Sequence, residues 1–196
     1  MRILVSVTSL LAALLCSACV ATDRADNRIR ERELRIDALR AAAAASADRD
    51  NVQAALETIQ HALRISAHLR ATDWRTVENY DEAGLYYYLL NDWQASARHQ
   101  AVAVLLACVA SQRSEALATY VQRLGWTFAR YRPGEDFAPI AHSPLLLLQD
   151  DRLNLSSNAD VRRQFFELDN RDRAPKPPIK RIYRLKRPVP TQCTAE

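Results

Sequence analysis

Residues 73–110, DWRTVENYDEAGLYYYLLNDWQASARHQAVAVLLACVA, decide the fold. Trp74, Val77, Tyr80, Leu85 and Tyr88 recur at intervals of a helical turn. Asn91-Asp92 interrupts the pattern, and a second stripe follows through Trp93, Ala97, Ala101, Val104 and Cys108. Apolar residues three and four apart lie on one face of a helix, and Thr72 and Asp73 stand where an N-cap is needed. A two-residue break between two such stripes leaves the second helix no course but back along the first. The stretch therefore reads as an antiparallel helical hairpin.

The same signal extends in both directions. Upstream, Val52, Leu56, Ile59 and Leu63 form an amphipathic helix behind a break at Asp48–Asn51. Before it, residues 28–47 form a charged helix with a thin stripe of Ile29, Ile36, Leu39 and Ala43, expected to lie solvated against the body. Downstream, Leu117, Val121, Leu124 and Phe128 mark a fifth helix that ends at Arg132-Pro133-Gly134. Pro139 and Pro144 bracket a loop, and Leu145–Leu148 reads as a buried helical turn or a short strand. Ser157–Asp160 starts a short helix carrying Val161, Phe165 and Leu168. With only three glycines in 196 residues, the many turns of a β-sandwich are not available. The expectation is an all-α domain over 28–170: an antiparallel bundle, or stacked helical hairpins, of five to six helices.

Charge separates body from tail. Residues 19–170 hold 18 Lys/Arg against 21 Asp/Glu, whereas residues 171–196 hold 8 against 2. The overall charge of +4 is thus a property of the tail, and it is weak support for nucleic acid as a partner. Pro175, Pro177, Pro178, Pro188 and Pro190 exclude helix there. Between them IKRIYRLKR (179–187) alternates apolar and basic residues, the pattern of an edge strand or a docked arm. Lys180, Arg181, Arg184, Lys186 and Arg187 are candidates for contact with an anionic surface, whether phospholipid headgroups, an acidic partner or the net-negative body itself.

At the other end stands MRILVSVTSLLAALLCSAC (1–19). Arg2 supplies a basic start, Ile3 to Leu15 an apolar run too short to span a bilayer, and small residues then lead to cysteine. Cys16-Ser17-Ala18-Cys19 resembles the cleavage box of bacterial lipoproteins, with a departure at Cys16, where that family has Leu. The resemblance implies a signal peptide over 1–18, a lipid (palmitate among its acyl chains) on Cys19 and a tether over 19–27. Because Val20 follows the cysteine, it also implies forwarding to the outer membrane, facing the periplasm. Ordinary secretion, with cleavage near Ala18 or Ala21, is the alternative. Cys108 and Cys193 remain, and in an oxidising compartment they could pair; a buried thiol at Cys108 is the other reading.

Residues 73–110 also resemble a tetratricopeptide-type hairpin in small Gly84, aromatic Tyr87, the Asn91-Asp92 turn and Trp93. Ser96, Gln100 and the lack of proline at 109–111 depart from that pattern, and no second copy follows at the family's repeat length. The aromatic cluster around this hairpin makes Trp74, Tyr86, Tyr87 and Trp93 candidate anchors for a protein partner, since consecutive tyrosines on a helix cannot all face one core. No nucleophile elbow, zinc-protease helix, phosphate loop or paired-cysteine motif occurs, and the four histidines have no converging ligands, so no metal or cofactor is expected. Glu57, Glu78 and Glu82 are the only hint of paired carboxylates. The expected function is a lipid-anchored, non-enzymatic helical adaptor or scaffold that meets another envelope protein. The alternative is a small periplasmic enzyme, or enzyme inhibitor, acting on cell-wall material.

Overall fold

The computed structural model describes residues 26–70, 73–110, 114–168 and 183–186. The described chain is helical except for one small antiparallel sheet. Helix α1 covers residues 26–47. It is followed by α2 (Val52–Ser66), α3 (Trp74–Leu89), α4 (Trp93–Val109) and α5 (Ser114–Tyr131). A short α6 (Ala138–His142), three 3-10 turns between Pro144 and Ser157, and α7 (Ala159–Phe165) complete the helices.

Local chemistry sets these boundaries. The side chains of Asn51, Asp73, Asp92 and Asn158 accept the first orphan backbone amides of α2, α3, α4 and α7. Helix α3 ends because Asn91 takes a left-handed conformation, φ 63°. The Asp92 amide then donates to Tyr87 O and the Asn91 amide to Tyr88 O, which closes the helix end and reverses the chain. Asp92 caps α4 immediately afterwards, so two residues do the work of a turn.

Two buried clusters share α3 as a common wall. One lies among α1, α2 and α3, built on Ile36, Ala43, Leu56, Ile59, Ala83 and Tyr86. The other surrounds α4 and takes in Val77 of α3, Leu124 and Phe128 of α5, Leu147 and Leu153 of the 3-10 run, and Phe165 of α7. Ile36 and Ala43 are fully buried, so α1 lies against the body on the thin stripe expected of it; Ile29 alone of the stripe is exposed, at 44 %. Helix α4 departs from its one-sided pattern. Every residue from Gln100 to Cys108 is buried, because α3, α5, α7 and the 3-10 run enclose it. Cys108, within this run, is disulfide-bonded. Cys193, the partner expected for it, lies outside the described residues.

The chain beyond α5 is fastened back onto this core. Arg132 makes two hydrogen bonds to Asp150, at 2.5 and 2.9 Å, and its guanidinium lies over the rings of Phe128 and Tyr131. Leu145–Leu148 falls in a 3-10 helix with Leu147 buried, the helical outcome of the two expected. The helix expected through Leu168 stops at Phe165, where the backbone becomes extended as strand β1 (Phe166–Leu168). β1 pairs antiparallel with β2 (Tyr183–Leu185), placing Phe166 opposite Leu185 and Leu168 opposite Tyr183.

Candidate functional site

Glu78, Asp81 and Glu82 recur at i, i+3 and i+4 on α3 and so share one face. That face is gripped from both sides. Arg40 of α1 reaches Glu78 and Glu82, each at 2.5 Å, and Arg123 of α5 hydrogen-bonds Asp81. With Tyr120 these residues line a cleft of about 330 Å³. Asp81 is 3 % exposed, and burial raises its carboxyl to about 6 despite the Arg123 cation beside it. Glu78 is also raised by burial, partly offset by Arg40, and burial together with Glu78 and Asp81 lifts Tyr120 to about 12. A carboxyl near 6 exchanges protons around neutrality and can serve as an acid. The geometry gives these carboxylates another task, since two arginines from neighbouring helices already hold them.

A second cleft, also about 330 Å³, lies between α3, α4 and the start of α7. The Tyr80 hydroxyl donates to Asp160 Oδ2 at 2.9 Å and accepts from Asn158 Nδ2 at 3.0 Å. His99 sits behind it, its ring 4.8 Å from that of Tyr87 and 6.1 Å from that of Tyr80. Its Nδ1 is 2.8 Å from Ala95 O, which makes this nitrogen the protonated donor, and burial lowers its pKa so that the ring is held neutral. Arg98 lines the same cleft and hydrogen-bonds the Ser157 hydroxyl.

The residues singled out from the sequence do not gather at either cleft. Trp74 stands at the start of α3, 44 % exposed, with the guanidiniums of Arg40 and Arg75 over its ring at 5.5 and 4.5 Å. Trp93 begins α4 at the far end of the hairpin, half-buried and edge-on to Tyr88 at 5.0 Å. Tyr86 is corrected: at 5 % exposure it belongs to the α1–α2–α3 core and offers no surface to a partner. Tyr87 is half-buried and its hydroxyl accepts from Gln60 Nε2 at 2.8 Å, a packing role. The aromatic cluster thus splits into an exposed Trp74 and a packed remainder, and the most exposed aromatic, Trp126 at 55 %, comes from α5.

Arg184 and Lys186 are described, and each has a partner on the body, Arg184 from the exposed side of the strand. Arg184 pairs with Glu167 at 2.8 Å, and Lys186 Nζ donates to Arg163 O at 2.8 Å. Arg162 lies over the Tyr183 ring, and Leu185 packs against the larger core. Cys19, Lys180, Arg181 and Arg187 lie outside the described residues. Among the described residues no group of histidines, cysteines and acids could hold a metal ion.

Glu78 and Glu82 are joined on this face by Asp81, whose only signal in the sequence is the i, i+3, i+4 spacing. Tyr80 and Asp160 lie eighty residues apart, and nothing local signals that they meet. No family model, no curated protein and no solved structure matches the chain.

Proposed function

We propose that this chain is a lipoprotein, anchored through lipid on Cys19 to the bacterial envelope membrane, at the outer membrane facing the periplasm. There it acts as a non-enzymatic helical adaptor or scaffold that presents a surface to another envelope protein. The observation that carries the reading is the leader that ends in Cys16-Ser17-Ala18-Cys19. No helix among the described residues is long and apolar enough to cross a membrane, which is compatible with attachment through a lipid. Trp74 supports the adaptor half of the reading. A half-exposed tryptophan in contact with two arginines, themselves paired with Glu33, Asp37, Glu78 and Glu82, has less freedom to lose when a partner covers it.

Two measurements test this. Cys19→Ala should shift the protein from the membrane to the soluble fraction, and the mass of the wild-type N-terminal peptide should carry a diacylglyceryl cysteine. Unlipidated mature protein beginning at Thr22 would sink the anchor. A stoichiometric envelope partner should co-purify from solubilised membranes and be lost with Trp74→Ala at unchanged melting temperature. The second reading, a small cell-wall-acting enzyme or inhibitor, is favoured by the raised carboxyl of Asp81 within the Glu78–Glu82 cleft. Hydrolysis of peptidoglycan by the purified protein, abolished by Asp81→Asn, would replace the adaptor reading with that one.

A further inference from the structure

The cleft between α3, α4 and the start of α7 allows a full account of its polar groups. The Tyr80 hydroxyl is used twice, by Asp160 and Asn158. Asn158 Oδ1 is spent on the backbone amides of Asp160 and Val161. The Ser157 hydroxyl donates to Asn154 O and accepts from Arg98. Two capacities are left over. His99 Nε2, across the ring from the nitrogen that bonds Ala95 O, is an acceptor with no partner among the described residues. Arg98 has five N–H donors, makes one described hydrogen bond, to a neutral hydroxyl, and forms no ion pair among the described residues.

We propose that this cleft binds a small carboxylate bearing an N–H or O–H donor, with Arg98 taking the carboxylate and His99 Nε2 accepting from the donor. The guanidinium fork matches the two oxygens of a planar carboxylate. A neutral imidazole that donates through Nδ1 can offer Nε2 only as an acceptor, so an anion without a proton to give leaves that side of the site unmatched. Tyr80 and Asn158 line the cleft and are fixed there, because the Tyr80 hydroxyl bonds both Asn158 and Asp160 and so ties α3 to the start of α7. An N-acylated amino acid and a hydroxy acid both meet the two requirements. This site stands apart from the adaptor reading, and failure of either leaves the other in place.

The test uses the full chain and N-acetylalanine as probe, in both hands, with glycolate as the hydroxy-acid arm. Titration should give saturable binding at millimolar concentration and a shift of the His99 Nε2 resonance, with Nδ1 unmoved. Acetate, which lacks the donor, and N-acetylalanine methyl ester, which lacks the anion, should each bind about tenfold more weakly or worse. Arg98→Gln should cost at least as much, and Arg98→Lys less, since it keeps the charge and loses the fork. Which of N-acetylalanine and glycolate binds more tightly identifies the donor. The proposal is overturned if acetate or inorganic phosphate binds as well as N-acetylalanine, if Arg98→Gln leaves binding unchanged, or if Nε2 does not shift at the highest probe concentration. The resonance readout needs no variant, so a misfolded substitution cannot obscure the result.

Discussion

At the scale of single residues, the crossing of α3 and α4 shows what a side chain's absence does. A Cβ on Gly84 would stand 2.4 Å from Gln100 Cγ and 3.2 Å from the Gln100 amide nitrogen. Gln100 cannot swing aside without cost, because its Oε1 accepts a hydrogen bond from Thr127 at 2.8 Å. The Ser96 hydroxyl, close to the same point, donates to Gly84 O at 2.7 Å. Gly84→Ala should therefore lower stability by about 1–3 kcal/mol, read as a fall in the denaturant midpoint; an unchanged midpoint would mean the helices do not cross here. Asp81 gives a prediction about pH. Its carboxyl is raised by burial from 3.8 to about 6, so between those values the folded state holds a proton that the unfolded chain has lost. Its contribution is fully present below pH 3.8 and disappears as pH rises through 6. Asp81→Asn should become more stable relative to wild type as pH climbs from 4 to 7, by about 3 kcal/mol across the window. His99, with its pKa lowered by burial, acts in the opposite sense: its contribution is present above 6.5 and is lost as pH falls. The difference between variant and wild type isolates Asp81 because His99 is common to both. Parallel pH profiles would refute the assignment.

Among the elements, β2 is the one whose place depends most on its surroundings. Three residues of strand have no stability alone. Tyr183 and Leu185 point inward by halves while Arg184 points out, as the alternation in 179–187 leads one to expect. The ion pair of Arg184 with Glu167 is 44 % exposed on both sides and contributes little. Leu185 against the core and Tyr183 beneath Arg162 are the contacts that hold the strand. Leu185→Asp should lower the melting temperature and open the native protein to trypsin at Arg184 and Lys186. It leaves Cys193 untouched, so the effect cannot come from cysteine chemistry. Unaltered melting together with ready cleavage of the wild type at these sites would show that β2 is not docked. The α4 helix makes the complementary point. Its sequence carries apolar and small residues nearly all round, and a helix with no polar face has to be enclosed.

For the molecule as a whole, the sharing of α3 between two cores predicts a single cooperative unit. Leu56 belongs to the α1–α2–α3 cluster and Leu124 to the one around α4, and both are buried in the middle of their stripes. Leu56→Ala and Leu124→Ala should each cost about 2–5 kcal/mol. Because Arg40 and Arg123 clamp the same face of α3 from opposite sides, both variants should shift one unfolding transition, seen alike by circular dichroism and by tryptophan fluorescence. Two separated transitions, or losses under about 0.5 kcal/mol at both sites, would break this picture.

Helices and their order were legible in the sequence because each is settled within a few residues: the stripe of Val52, Leu56, Ile59 and Leu63, the capping side chain of Asp73, the break at Asn91-Asp92. The alternation that makes β2 is legible for the same reason. Which faces are buried was not legible in full. Trp74 has the spacing of a core residue yet stands exposed, and Tyr86, read as a possible anchor, is enclosed. Helical periodicity gives the direction of a side chain about its own axis and says nothing of how many neighbours stand around it. The two clefts belong wholly to the tertiary structure. Tyr80 meets Asp160, and Arg123 meets Asp81, only after long stretches of chain have packed. Burial, the largest of the causes that move Asp81 towards neutrality and hold His99 uncharged, is a property of the surrounding volume and not of any segment of the chain.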